Sequence, residues 1–272
     1  MGGLSVLFNI PSLQSQNQLQ GTSQSLQNTL TQLTTGSRIN SGADDPAGLQ
    51  ISNLLNASIA ALNQTVNNAS NGIGLAQVAD GALSQVSTLL NTAVTLATEA
   101  SNGGLSSQQA SALNTEYQNI LTEINNIGSN TNFNGTAVFS SSATPIFLTD
   151  LTTSYTVSVT TTTLTTTNLG VNGTTLSTTA SAQTALADIN TAIVNVGSVR
   201  GSIGAAINQL TDGQNVSTVE SQNTTAALNT ITAANIPQVV SNLNKFTILE
   251  QTGIFALAQA NSIPQSLLKL LG

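Results

Sequence analysis

Leu19, Leu26 and Leu33 recur at seven-residue intervals in a polar stretch rich in Gln, Ser and Thr, with Leu30 beside them. This spacing predicts a helix over about Leu13 to Leu33 with a single apolar seam. Gly36, Gly42 and Pro46 break the pattern, and a longer run follows. Leu55, Leu62, Ala69, Ala76, Leu83, Leu90 and Ala97 keep a strict seven-residue repeat. Ile59, Val66 and Ile73 flank it on one side and Ala79, Val86 and Ala93 on the other, so the seam is expected to shift near Gly72 and Gly74. A sustained seven-residue period drives left-handed supercoiling against another helix. Gly103 and Gly104 close this helix, and Leu105 to Ile127 reads as a third one.

Between about Asn132 and Thr179 the period changes from seven to two. The segment Ser154 to Thr167 alternates β-branched residues, and the steps Phe133–Gly135 and Val171–Gly173 each contain Asn-Gly, which predicts short strands and hairpins. A disordered Ser/Thr linker is the alternative. Strands are favoured because Val138, Phe139, Ile146, Phe147, Tyr155, Val157 and Val159 supply apolar faces to bury. Helical spacing then resumes with Ile189, Ala192, Val196, Val199, Ile203, Ala206 and Leu210, a second coiled-coil seam. A last helix is expected from about Ile236 to Leu271. Burying these seams requires the C-terminal helices to fold back along the N-terminal ones, with both termini at one end of a rod. The expected fold is therefore mainly α: an antiparallel long-helix coiled-coil bundle formed by both chain ends, with a small Thr-rich β-hairpin insert.

Composition removes several classes of function. Charged residues make up 6% of the 272, against roughly 25% in ordinary soluble domains. The only cations are Arg38, Arg200, Lys245 and Lys269, against eleven acids, so there is no cationic groove to track a phosphate backbone and nucleic acid is not an expected partner. Cys and His are absent, which excludes thiol and imidazole catalysis, disulfides and most zinc chemistry. No apolar run reaches the ~20 residues of a membrane-spanning helix. The segment Met1 to Gln14 has neither the basic region nor the cleavage site of a secretory signal peptide, leaving the cytoplasm or a specialised export route. No cofactor, metal or catalytic residue is expected.

Four stretches then carry a resemblance. Leu33 to Ser52 (LTTGSRINSGADDPAGLQIS), Asn71 to Leu83 (NGIGLAQVADGAL), Asn132 to Gly135 (NFNG) and Leu257 to Gly272 (LAQANSIPQSLLKLLG) resemble, in this order, the signatures of the bacterial flagellins. The resemblance covers essentially all the helical segments and leaves out the Thr-rich middle. It implies an extracellular filament subunit that polymerises with identical copies, and whose terminal helices order only on assembly. It further implies a flagellin export chaperone, the type III export apparatus, and the filament cap and hook-filament junction proteins as partners. The expected division is an inner domain of residues 1–44 with 232–272 and an outer coiled-coil domain of 45–231, with the β insert at about 132–180 and no large variable outer domain.

Expected intersubunit residues are Leu19, Leu26, Leu30, Leu33, Arg38, Asn40, Asp44, Asp45, Ile254, Leu257, Ala258, Leu267, Leu268 and Leu271. Asp44 and Asp45 could be a pair for acid and base chemistry, but they precede Pro46 and a helix, where acids complement the N-terminal dipole. Arg38 could pair with an acid across a subunit contact or remain a solvated loop residue. Seven N-x-S/T sequons occur, and Asn134, Asn172 and the Thr-rich insert are the sites considered for glycosylation. Two segments depart from the family. Leu90 to Glu99 has Thr92 and Val94 and no cation where many flagellins carry the basic residues read by the animal flagellin receptor. Ile231 to Val240 replaces the usual acidic stretch. Rival readings are the hook-filament junction protein and a non-flagellar coiled-coil adhesin or secretion filament, with a carboxylate-dependent enzyme last.

Overall fold

A computed structural model describes residues 9–140, 144–149 and 154–271. The order is α1 (Ile10–Thr35), α2 (Pro46–Ala100), α3 (Ser107–Asn130), β1 (Asn132–Phe133), β2 (Thr136–Ala137), β3 (Thr144–Thr149), β4 (Ser154–Val159), α4 (Thr166–Leu169), α5 (Thr179–Thr232) and α6 (Ile236–Leu271). The chain forms two compact units, residues 1–56 with 224–272 and residues 57–223. The divisions fall inside α2 and α5, some way from residues 44 and 232.

The central unit is built on two seams. Along α2, Leu62, Thr65, Ala69, Gly72, Ala76, Ala79, Leu83, Val86, Leu90, Ala93, Ala97 and Ala100 are buried, in an unbroken alternation of three and four residues. The expected shift near Gly72 does not occur. Thr65 and Gly72, rather than Val66 and Ile73, occupy the seam there, and the larger pair lies half-buried beside it. Along α5 the buried positions Ala182, Ala185, Ile189, Ala192, Val196, Ile203, Ala206 and Leu210 keep the same alternation, with Val199 half-buried in its place. The two helices run antiparallel: Arg200 pairs with Asp80, Gln214 donates to Ser70 and Ser221 to Asn63. The many Ala positions let the backbones approach closely, and Tyr117, Ile120, Leu121 and Ile124 of α3 complete the same apolar core.

Local chemistry fixes the ends of α3. The Ser106 side chain accepts from the Gln109 N–H while Gln109 accepts from the Ser106 N–H, a reciprocal capping box. Tyr117 is fully buried and its hydroxyl bonds Thr174, while the Gln118 amide donates to the Thr174 carbonyl at 2.9 Å. Gly128 is required by close approach, because a Cβ there would run into the Leu164 carbonyl oxygen.

The β region is smaller than the Thr pattern suggests. β1 and β2 pair through Asn134 (φ 50°) and Gly135 (φ 78°), a two-residue turn with both residues left-handed, as the Asn-Gly step predicts. β3 and β4 pair antiparallel, Thr144 opposite Val159 and Leu148 opposite Tyr155. The strand stops at Val159 instead of continuing to Thr167, because the following threonines cap and tether. Thr161 Oγ1 donates to the Val138 carbonyl at 2.6 Å, and Thr165 accepts from the Asn168 N–H to start α4. The Asn172–Gly173 step is an isolated turn and joins no strands. Of the residues expected to need burial, Val138, Phe139, Val157 and Val159 are buried, Ile146 is half-buried and Tyr155 is exposed. The Phe147 side chain lies outside the described residues. Two glycines seat the hairpin: a Cβ on Gly72 would meet Ile146 at 2.8 Å, and one on Gly213 would meet Leu148 at 2.6 Å.

Candidate assembly surfaces

The terminal unit begins with α1, whose Asn9 cap accepts from the Ser12 N–H at 3.2 Å and which ends at Gly36 in the left-handed conformation (φ 67°). It packs along α6 in antiparallel fashion. Asn9 donates to the Ala260 carbonyl at 2.9 Å, Ser12 Oγ to Asn261 at 2.7 Å, and Leu19 lies over Gly253. The α1 seam reads Ser12, Ser15, Leu19, Thr22, Leu26, Thr29 and Leu33, so polar residues share it with leucines that remain half-buried. Thr22 and Thr29 tolerate burial because each hydroxyl donates to the carbonyl four residues back.

The connector between α1 and α2 is tied to the end of α5. Arg38 N–H donates to the Thr232 carbonyl at 2.7 Å, Ala234 N–H to the Gly36 carbonyl at 2.9 Å, and the Arg38 guanidinium to the Ile231 carbonyl at 3.0 Å. Asp45, 3.8 Å away in the same chain, is the acid facing Arg38. Asp44 and Asp45 have different tasks. Asp45 Oδ1 accepts from the Gly48 N–H at 2.8 Å and caps α2 ahead of Pro46. Asp44 accepts from the backbone N–H groups of Asn40 at 3.0 Å and Ser41 at 2.8 Å, and these bonds hold its carboxyl below the usual carboxylate range. Asn40 in turn donates to the Ser37 carbonyl. Gly48 is obligatory here, since a Cβ would meet the Asp45 carboxylate and, at 2.7 Å, Ile39 Cδ1.

The expected intersubunit residues thus divide by setting. Leu19, Leu26, Leu33 and Leu257 face the α1–α6 seam and are half-buried, Leu30, Ile254 and Ala258 are exposed, and Arg38, Asn40, Asp44 and Asp45 build the connector. Leu267, Leu268 and Leu271 lie on the last turns of α6, with side chains outside the described residues. Asn134 and Asn172 are exposed turn residues of the central unit. Sequence spacing selects Ile254 but passes over Phe255, which at 75% is the most exposed large apolar side chain described. The only signal for it is the apolar run Ile254 to Leu257.

What distinguishes the terminal unit is its surface. Ile10, Leu13, Leu30, Ile51, Leu54, Ile236, Val240, Ile248, Leu249, Ile254, Phe255 and Ile263 are all exposed there, against Val78, Tyr155, Val194, Val216 and Val219 in the larger central unit. At 3.6 residues per turn, Ile254, Phe255 and Ile263 point to three sides of α6, with Leu249 close to the side of Ile263. A helix that is apolar all round is one that other protein buries. The terminal unit is also charge-balanced, with Arg38, Lys245 and Lys269 against Asp44, Asp45 and Glu250. The whole net charge of −7 therefore resides in the central unit. Among the described residues no group of acids is arranged to hold a metal ion, and no helix is long and apolar enough to cross a membrane.

Two family models match the chain. The bacterial flagellin N-terminal helical region matches residues 6–144, and the bacterial flagellin C-terminal helical region matches residues 186–271. The chain belongs to the bacterial flagellin family. Among its relatives, the flagellin of Listeria monocytogenes is 31% identical over 98% of this chain and 99% of its own length, and that of Halalkalibacterium halodurans 30% over 90% and 91%. A crystal structure of Bacillus cereus flagellin superposes with a TM-score of 0.49 at 28% identity, covering 60% of this chain and 94% of that one. Flagellins are structural proteins and not enzymes, and relatives from many bacteria favour the filament subunit over the junction-protein and adhesin readings.

Proposed function

We infer that the chain works as a structural subunit of the extracellular bacterial flagellar filament, and that its terminal unit is the part that polymerises. The observation carrying this reading is α6, which presents large apolar side chains on every side while α1 covers only one of them. Full burial of one such side chain is worth about 1.5–3 kcal/mol, so several left in water make the lone subunit unstable relative to a polymer. A helix such as α1, with polar seam residues, is marginal in isolation, and neighbouring subunits supply the missing cover. Contacts between different faces of identical subunits do not close into a pair, which is the condition for open fibre growth.

Several further partners follow from this reading. Before assembly the apolar ends need a chaperone, and a chain without disulfides can pass unfolded through a type III export channel. The filament cap and the hook-filament junction protein would meet the same terminal surfaces at the two ends of the polymer. Arg38, Asn40, Asp44 and Asp45 shape the connector that presents those surfaces, and Ile254, Leu257 and Ala258 extend them along α6, with Leu267, Leu268 and Leu271 following in sequence on its last turns. Any sugar carried by Asn134, Asn172 or the Thr-rich segment would lie on the central unit, away from the polymerising residues in sequence.

The test is deletion. Chains lacking residues 1–36 or 241–272 are expected to remain soluble and mostly helical by circular dichroism, yet to form no filaments by electron microscopy under conditions that polymerise the full chain. Long filaments from either deletion would overturn the assignment.

A further inference from the structure

Four Asn-Gly steps occur in the chain, at Asn71, Asn102, Asn134 and Asn172, and the structure gives each a different setting. We propose that Asn102 is a self-modifying site, at which the backbone nitrogen of Gly103 displaces ammonia from the Asn102 side chain. The Gly103 nitrogen forms a bond to Cγ of Asn102, the Cγ–Nδ2 bond breaks, and the Gly103 amide proton leaves with ammonia. Water then opens the resulting succinimide at either carbonyl, giving aspartate or isoaspartate. No oxidant or reductant takes part.

The reaction requires an amide nitrogen without a hydrogen-bond partner, no side chain on the attacking residue, and freedom to swing the peptide toward Cγ. Asn102 meets all three. It lies just past the end of α2 at Ala100, with Asn102, Gly103 and Gly104 all exposed. Its own N–H reaches the Glu99 carbonyl at 3.1 Å, but the Gly103 N–H has no backbone acceptor among the described residues. A Cβ built on Gly103 or Gly104 would touch nothing within 4 Å, so neighbours do not restrain the turn.

The other three steps are held. Gly72 is buried inside α2, where its N–H belongs to the helical ladder. Asn134 and Gly135 form the tight left-handed turn that sets the register of β1 and β2. Asn172 sits in a turn anchored by fully buried Val171 on one side and by Thr174 on the other, the latter bonded to both Tyr117 and Gln118. Attack at Asn71 must first open the helical ladder. At Asn134 and Asn172 the following N–H has no backbone acceptor among the described residues either, but the peptide must swing out of a turn anchored on both sides, and every 1.4 kcal/mol of opening free energy slows attack tenfold.

Each event replaces an amide by a carboxylate beside the carbonyl end of α2, where the helix dipole disfavours negative charge. It also adds to the acidity of a unit that already carries the whole net charge. The full chain, incubated at neutral pH and 37 °C and digested at glutamate, releases Asn102 between Glu99 and Glu116, where mass spectrometry and isoaspartate-specific methylation read conversion directly. Conversion is expected first at Asn102 and about 100-fold or more slowly at Asn71. Gly103→Ala, whose methyl has free space, should slow Asn102 while leaving the circular dichroism spectrum unchanged. Earlier conversion at Asn71, Asn134 or Asn172 would overturn the proposal. So would an Asn102 that stays intact in the folded chain for as long as the urea-unfolded chain needs to convert.

Discussion

Replacing Gly128 and Gly197 by alanine should move stability in opposite directions, although both glycines lie on long helices. An alanine in a helix interior gains about 1 kcal/mol over glycine in propensity alone. At Gly197 nothing lies within 4 Å of the added methyl, so that gain stands. At Gly128 the methyl meets the Leu164 carbonyl oxygen, with the Leu164 carbonyl carbon at 2.9 Å and its Cβ at 3.2 Å. That backbone cannot step aside cheaply. Leu164 is buried, and the Thr166 N–H is held at 2.9 Å by Asn125 from the same helix as Gly128. The overpacking cost therefore falls at the upper end of the usual range, ~3 kcal/mol, and outweighs the propensity gain to leave a net loss of about 2 kcal/mol. Thermal unfolding followed by circular dichroism should show Gly128→Ala lower in Tm by about 4–8 °C and Gly197→Ala higher by about 2–4 °C. If Gly128→Ala melts at or above the parent, the close approach of α3 to Leu164 is not real.

Phe255→Asp should abolish filament formation, seen by electron microscopy, without reducing the helicity of the free chain; normal filaments would remove Phe255 from the assembly surface. Burial pushes the Tyr117 phenol above its usual range, so its contribution is complete at neutral pH and declines as pH rises beyond about 10. Tyr117→Phe should accordingly cost about 1 kcal/mol at neutral pH and flatten the alkaline limb in urea titrations, whereas an unchanged limb would contradict the burial argument. The Arg200 hydrogen bond holds the Asp80 carboxyl below the usual range, so its stabilisation is present above about pH 4 and lost as pH falls further. Because the pair is more than a third exposed, Asp80→Asn should cost only ~0.5 kcal/mol at neutral pH, with parent and variant converging in acid. Receptor activation in reporter cells should be weak, since Thr92 is exposed where a cation is usual and Val94 is half-buried; a response equal to that of a basic flagellin would contradict this.

The seam of α5 was legible because Ile, Val and Leu mark most of its positions, and burial of those residues is what drives the two helices together. The middle of α2 was harder to read. Thr65 and Gly72 hold seam positions beside larger neighbours, Val66 and Ile73, and the reason lies across the interface, where Ile146 and Leu210 need the space that Gly72 leaves. Threonine posed a similar difficulty at Thr161, Thr165 and Thr166. Whether it extends a strand or caps a helix depends on acceptors far away in sequence, such as Val138. The connector showed the same limit. Arg38, Asp44 and Asp45 were visible as candidates, but the Ile231 and Thr232 carbonyls that anchor Arg38 leave no trace in spacing. The apolar surface of α6 is only partly legible in the sequence, because a helix apolar on all sides has no period to detect.

The hairpin seated on Gly72 and Gly213 joins the rest of the chain at one place, since Thr144 and Val159 lie opposite each other. A segment that leaves and returns at one point can be lengthened without altering what lies beneath it. Each doubling of a loop costs only about 0.6 kcal/mol in closure entropy. Thr149 and Ser154 also lie opposite each other, so the end of the hairpin that this pair marks is a graft point, at which a foreign epitope or a whole folded module could be carried. In a polymer, the same graft would be repeated once for every subunit.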